Sequence, residues 1–180
     1  MGIDKMRRLI LLRHAKSDWH GNAETDYDRP LNRRGQKAIQ LIAKTMRTQG
    51  IQPRTTLSSP ARRAAQTVTE LYDALETEPN NVDYLPELYL ADRNQLLQII
   101  ERDQRQDLMI VGHNPGLEAL LLFLCGNAVP RTNTGKLFPT ASLAVVRLPD
   151  DWSRDLSGQL ELEALLRPKE LESEYSDAPR

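Results

Sequence analysis

The sequence has one cysteine, Cys125, among 180 residues. That excludes an intrachain disulfide and fits a reducing compartment. It also lacks a charge imbalance: 24 Lys and Arg stand against 25 Asp and Glu, for a formal net charge of −1. There is no bulk pull towards nucleic acid or an anionic membrane, so any anion site has to be local. Long apolar runs are missing too. The longest, near Leu117–Cys125, contains Glu118 and is too short to span a bilayer. Leu9–Leu12 is too short for a signal-peptide core. Met6 stands where a myristoylation start wants Ser or Thr. No Walker lysine loop occurs, which disfavours nucleotide hydrolysis of the P-loop kind. No His-x-x-x-His or Glu-x-x-His spacing occurs, and no cysteine lies near a histidine, which argues against zinc. These absences leave a soluble, cytoplasmic chain. No metal, cofactor, nucleic acid or membrane is expected to join it.

What is present begins with Arg8-Leu9-Ile10-Leu11-Leu12-Arg13-His14-Ala15-Lys16-Ser17. Its apolar run reads as a buried strand of a parallel sheet. Such strands carry their chemistry at the carboxyl end, where Arg13 and His14 stand. A polar loop from Ser17 to Pro30 follows, with Asp18, Asp26, Asp28 and Arg29. Long loops of this kind are often functional. The spacing of Ala38, Ile39, Leu41, Ile42, Ala43 and Met46 predicts a helix over 33–49, stopped by Gly50. Thr55–Ser58 is a short strand. Ser59 can cap a helix that starts at Pro60-Ala61 and runs to Leu75. Asn80-Asn81 is a turn, Val82–Leu88 is extended, and Asn94–Asp103 is helical. Leu108–Val111 is a second buried strand. It ends in Gly112-His113-Asn114-Pro115-Gly116, with a helix from near Leu117. Residues 126–141 are loop and Ser142–Leu148 is a strand. Gln159–Leu166 alternates with period two, so it predicts the second strand of an antiparallel edge pair; a terminal helix competes for this piece. From Pro168 the chain is charged and poor in apolar residues, which predicts a frayed tail over 168–180. The alternation of strand and helix predicts one domain over 1–167. It is a three-layer α/β/α sandwich with a mainly parallel sheet.

Two of the three histidines, His14 and His113, follow buried strands directly and would project onto one sheet edge. Arg62 and Arg63 stand on the first turn of the helix after Ser58-Ser59-Pro60, beside unpaired backbone N–H groups and the positive end of the helix dipole. Arginine suits phosphate because its planar fork donates two hydrogen bonds. A neutral imidazole is a competent nucleophile towards phosphorus. Phosphoryl transfer asks little of a protein beyond position and charge neutralisation.

These residues match a family. The sequence resembles the histidine phosphatase superfamily, also called phosphoglycerate mutase-like. Within it, the chain looks most like the small SixA-type phosphohistidine phosphatases. Arg13-His14-Ala15 is similar to the Arg-His-Gly signature, with Ala15 in place of glycine, and Ser17 falls on the usual Ser or Thr. Pro30-Leu31-Asn32-Arg33-Arg34-Gly35 is similar to the family's Pro-Leu-Thr-x-x-Gly. Ser59-Pro60-Ala61-Arg62-Arg63-Ala64-Ala65-Gln66-Thr67 is similar to its Ser-Pro-x-x-Arg-Ala-x-Gln-Thr. Pro86-Glu87-Leu88 matches the segment with the acidic residue, and Val111-Gly112-His113-Asn114-Pro115 the one with the second histidine. The match spans about residues 8–148 in family order.

The resemblance implies that His14 attacks phosphorus and becomes a phosphohistidine. It implies that Arg13, Arg63 and His113 hold the phosphoryl oxygens, with Ser17 and Asn114 beside the substrate. It makes Glu87 the acid for the leaving group, with Asp92 and Asp18 as rivals; a phosphoramidate substrate can dispense with the acid. A phosphate or sulfate anion is expected in the pocket. No long insertion between Glu87 and His113 can form a lid, which points to an open site for a phosphorylated protein side chain. The alternatives are a small-metabolite phosphatase and a phosphate-binding module without turnover. His20 lies in the first loop and reads as a surface residue.

Overall fold

The computed structural model describes residues 7–19, 21–78, 81–103, 105–149 and 156–177. In chain order these form β1 (Arg7–Arg13), α1 (Arg33–Gln49), β2 (Thr55–Ser58), α2 (Arg62–Leu75), β3 (Val82–Tyr84), α3 (Arg93–Arg102), β4 (Leu108–Gly112), α4 (Gly116–Cys125), β5 (Leu143–Leu148), β6 (Leu162–Leu166) and α5 (Pro168–Asp177). Short 3₁₀ turns cover Pro86–Leu88 and Gly126–Ala128.

The strands make one sheet in the order β3-β2-β4-β1-β5-β6. β1 pairs with β4 in parallel, Arg13 opposite Gly112. β2 joins β4 and β3 in parallel. β5 runs antiparallel to β1, and β6 antiparallel to β5. The mainly parallel α/β sheet with an antiparallel edge pair is therefore the observed fold. Alternation along β1 sets its two faces. Leu9 and Leu11 pack with Leu96, Ile99 and Ile100 of α3 and Leu117, Leu120 and Leu121 of α4. Ile10 and Leu12 pack on the opposite face with Ile39, Ile42 and Met46 of α1 and Val68 and Leu71 of α2. All four β1 side chains are fully buried, and such burial contributes about 1.5–3 kcal/mol each.

The helix ends follow their chemistry. Asn32 caps α1 by accepting from the Gly35 N–H at 2.9 Å, and Gly50 closes it with φ of 65°. Ser59, expected as the cap of α2, is not in that position: Ala61 is, and it gives no side-chain bond. The chain beyond Pro168 departs from the expected frayed tail, since residues up to Asp177 form α5. Its anchor is Leu171, which is buried in the core beside α1 and α2. Arg167, just before it, is also buried. Arg167 donates to the Leu137 carbonyl at 2.7 Å and pairs with Glu170 at 3.2 Å. One buried leucine and one satisfied arginine dock a helix whose other residues are mostly polar or charged. β1, β4 and β2 all end at the same sheet edge, and their continuations are locked together there. The His14 N–H donates to the Gly112 carbonyl at 3.0 Å, and the Ser59 N–H to the Val111 carbonyl at 2.9 Å.

Candidate active site

Because β1 and β4 are neighbours in register, His14 and His113 leave the sheet side by side, with ring centroids 5.0 Å apart. Both are buried. His14 Nδ1 lies 2.8 Å from the Ala15 carbonyl. A carbonyl only accepts, so Nδ1 carries the proton and Nε2 presents its lone pair. Arg63 Nε donates towards that Nε2 at 3.3 Å. Arg63 Nη2 donates to His113 Nδ1 at 3.3 Å. This leaves the His113 proton on Nε2, which donates to Ser59 Oγ at 2.8 Å. Burial, aided by the charges of His113, Arg63 and Arg13, pushes His14 down to about 3, even though the Ala15 carbonyl favours its charged form. Burial and the Arg63 guanidinium lower His113 to about 4. Both rings are neutral near pH 7.

Arg13 donates from Nη1 to the Phe138 carbonyl at 2.9 Å. The same carbonyl accepts from Asn114 Nδ2 at 2.9 Å. Ser17 Oγ is buried and accepts from Arg29 Nη1 at 2.8 Å. Arg13, His14, Ser17, Arg63, His113 and Asn114 all line one pocket of about 700 Å³. It is open on one side, where the exposed Trp19 and Leu90 stand. Six of the seven residues singled out in the sequence are thus together. Ala15 needs no glycine-only backbone: it has no positive φ, and its methyl is buried in the core with α1 and α2. Its N–H donates to Thr67 Oγ1 at 3.0 Å.

Glu87 is the seventh, and it is elsewhere. It stands in the 3₁₀ turn Pro86–Leu88, about half exposed, 3.0 Å from Arg102 of α3. It does not line the pocket. Its rival Asp92 is spent on a capping box with Gln95 at the start of α3. Asp18 does not line the pocket either, and His20 lies outside the described residues.

Among the described residues, the carboxylate that does line the pocket is Asp26, in the sequence only one charge of a polar loop. Arg29 donates to its Oδ1 from Nε at 3.0 Å and from Nη2 at 2.6 Å. Oδ2 accepts from Arg63 Nη2 at 3.0 Å and from the Tyr89 hydroxyl at 2.9 Å. Its backbone carbonyl accepts from Arg63 Nη1 at 2.6 Å. Burial would raise the Asp26 carboxyl, but bonds from Arg29 and Tyr89 and the Arg63 charge outweigh it and hold it at about 2. Asp26 is therefore ionised wherever the protein is folded near neutrality. It fixes the roll of Arg63, so that the Nε edge faces His14. The signal for Asp26, Arg29 and Tyr89 in the sequence was weak: charged residues in a long loop, and a tyrosine just past Pro86–Leu88. Among the described residues, no three His, Cys, Asp or Glu side chains come together as a metal site. No helix among them is long and apolar enough to cross a membrane.

The fold and the motifs have counterparts. The profile of the histidine phosphatase superfamily (branch 1) matches residues 9–97. The crystal structure of an Agrobacterium tumefaciens protein assigned as a SixA phosphohistidine phosphatase aligns with a TM-score of 0.74 at 32% identity, covering 90% of this chain and 98% of that one. The protein histidine phosphatase SixA in complex with tungstate aligns with a TM-score of 0.72 at 26% identity, covering 91% and 99%. A chloroplastic protein of Arabidopsis thaliana without an assigned function is 32% identical over 133 residues, 68% of this chain; the chain spans 61% of that protein's length. With Arg13-His14, Arg63 and His113 assembled at one sheet edge, the chain belongs to the histidine phosphatase superfamily and is a phosphatase of its SixA type.

Proposed function

We propose that the protein hydrolyses phosphohistidine on a protein substrate, through a phosphohistidine of its own on His14. The observation that carries this reading is the tautomer of His14. Nδ1 is pinned by the Ala15 carbonyl, so a neutral Nε2 lone pair faces a cationic pocket. Nε2 attacks phosphorus, and the P–N bond to the substrate's imidazole breaks. Arg13 and Arg63 surround the phosphoryl oxygens, with His113, Ser17 and Asn114 at the wall. The 3.3 Å contact from Arg63 Nε to His14 is long, and it yields when a phosphoryl oxygen offers a charged acceptor. Water then attacks the phosphorus, and His14 leaves as a neutral ring with its proton still on Nδ1.

The missing acid supports the same substrate. Among the described residues Asp26 is the only carboxylate lining the pocket, and at about 2 it holds no proton to give. An alkoxide leaving group needs one, a contribution of about 10²–10⁴ in rate. A phosphorylated imidazole takes its proton from solvent on the other ring nitrogen, and departs neutral. The open pocket suits a side chain carried on a protein. Tungstate, held by the aligned SixA structure, is a tetrahedral oxyanion like phosphate.

The test is a substrate panel: a phosphohistidine peptide, para-nitrophenyl phosphate and sugar phosphates. The expected order of kcat/KM is phosphohistidine first, aryl phosphate second, and sugar phosphates lowest by about 10² or more. A sugar phosphate at the head of that order would establish the small-metabolite reading instead.

A further inference from the structure

α1 carries Arg33, Arg34, Lys37, Lys44 and Arg47 and no acidic residue, in a chain whose net charge is −1. The two cations of its second half have partners: Lys44 stands over the Tyr175 ring at 4.1 Å, and Arg47 pairs with Glu76 at 3.6 Å. The three of its first half are exposed and make no ion pair among the described residues. They also stand where a helix least favours them. Arg33 and Arg34 open α1 at its positive end, with no acidic residue in the first turn. Lys37 is one turn on from both, so like charges are neighbours. Across the helix interface, Glu70 of α2 accepts from Gln36 at 2.9 Å.

This stretch borders the site. The Asn32 N–H donates to the Lys16 carbonyl at 3.0 Å, and Lys16 is exposed and lines the pocket. On the next helix Arg62, also exposed, opens α2 at its own positive end, again with no acid in the first turn. Its N–H donates to the Tyr27 carbonyl, one residue from Asp26, at 3.0 Å. A basic strip therefore runs from the pocket wall over the starts of two helices.

We infer that this strip, Lys16, Arg33, Arg34, Lys37 and Arg62, docks an acidic face of the phosphorylated protein beside its phosphohistidine. The inference rests on the phosphohistidine reading above. Phosphate alone needs none of the α1 cations, because the pocket holds Arg13, Arg29 and Arg63. Cations kept against a helix dipole, unpaired and next to an active site, fit a partner that supplies the anions.

Two phosphohistidine peptides, one flanked by Glu and Asp and one by Lys and Arg, test it against para-nitrophenyl phosphate. At low salt the acidic peptide is expected to show a kcat/KM at least about ten-fold above the basic one, the lower end of electrostatic steering. That advantage should shrink in about 0.5 M NaCl. In the triple variant Arg33→Glu, Arg34→Glu, Lys37→Glu the preference should vanish or reverse. Aryl phosphate turnover should stay unchanged, and Tm should not fall, because anions suit a helix start. Equal kcat/KM for the two peptides, or a preference that survives the triple variant, overturns the docking strip alone. Turnover of aryl phosphate with no hydrolysis of either peptide overturns the phosphohistidine reading and the strip with it.

Discussion

Gly35→Ala puts the link between helix packing and chemistry to a quantitative test. Gly35 lies in the first turn of α1, where intrinsic propensity favours alanine by about 1 kcal/mol. Packing opposes this. A methyl carbon at Gly35 would lie 2.3 Å from the Lys16 carbonyl oxygen and 2.9 Å from the Lys16 nitrogen, where ordinary contact begins at 3.4 Å. The backbone must therefore give by about 1 Å, 3.4 less 2.3. It cannot give freely. The Lys16 carbonyl already accepts from Asn32, and Ser17 bridges to Leu31. Overpacking of this kind costs about 1–3 kcal/mol, so the net expectation is a loss of up to about 2 kcal/mol. For a chain of this size that lowers Tm by up to about 8 °C. Lys16 is two residues from His14, and a displacement of about 1 Å at a nucleophile costs about 10²-fold. Calorimetry and aryl phosphate kinetics on the purified variant read both quantities. A raised Tm with unchanged kcat would show that propensity wins, and that the close approach does not position His14.

Asp26→Asn keeps the shape but removes the charge that aims Arg63; kcat/KM for aryl phosphate should fall about ten-fold, and an unaltered value would remove Asp26 from the positioning of Arg63. Glu87→Gln should leave every substrate within about two-fold, since Glu87 is half exposed and paired with Arg102; a loss of 10² would return it to the role of acid. The folded protein holds His14 at about 3 and His113 at about 4, below about 6.5 in the unfolded chain. The unfolded chain thus binds more protons at acid pH, so stability holds above about pH 6.5 and declines towards pH 3. Denaturant titrations across that range check the sign. A protein that gained stability on acidification would contradict the buried neutral pair.

Much of the site was legible because strand ends are local. An apolar run followed by histidine is visible in the chain, and parallel pairing then forces His14 and His113 onto one edge. The strand-turn-helix junction after Ser59 marked Arg62 and Arg63 alike, and it was the family resemblance that chose Arg63. The loop residues were not. Asp26 and Arg29 reach the site only because a long polar loop folds over it, and no periodicity encodes that path. Glu87 was misplaced by its motif: the Pro86–Leu88 turn aims the carboxylate at Arg102 and leaves the pocket to Leu90, while the Tyr89 hydroxyl bonds Asp26. Composition misled at the C-terminus as well. It weighed the charges of α5, and it could not weigh one leucine, Leu171, that fits the core.

The central claim is a covalent phosphoryl group on His14, and rapid-quench trapping tests it most directly. Protein mixed with ³²P-labelled aryl phosphate in EDTA, then quenched in base, should carry one acid-labile, base-stable label. That label should map to His14 and be absent from His14→Ala. Turnover without any such label, or a label that persists in His14→Ala, would contradict the account.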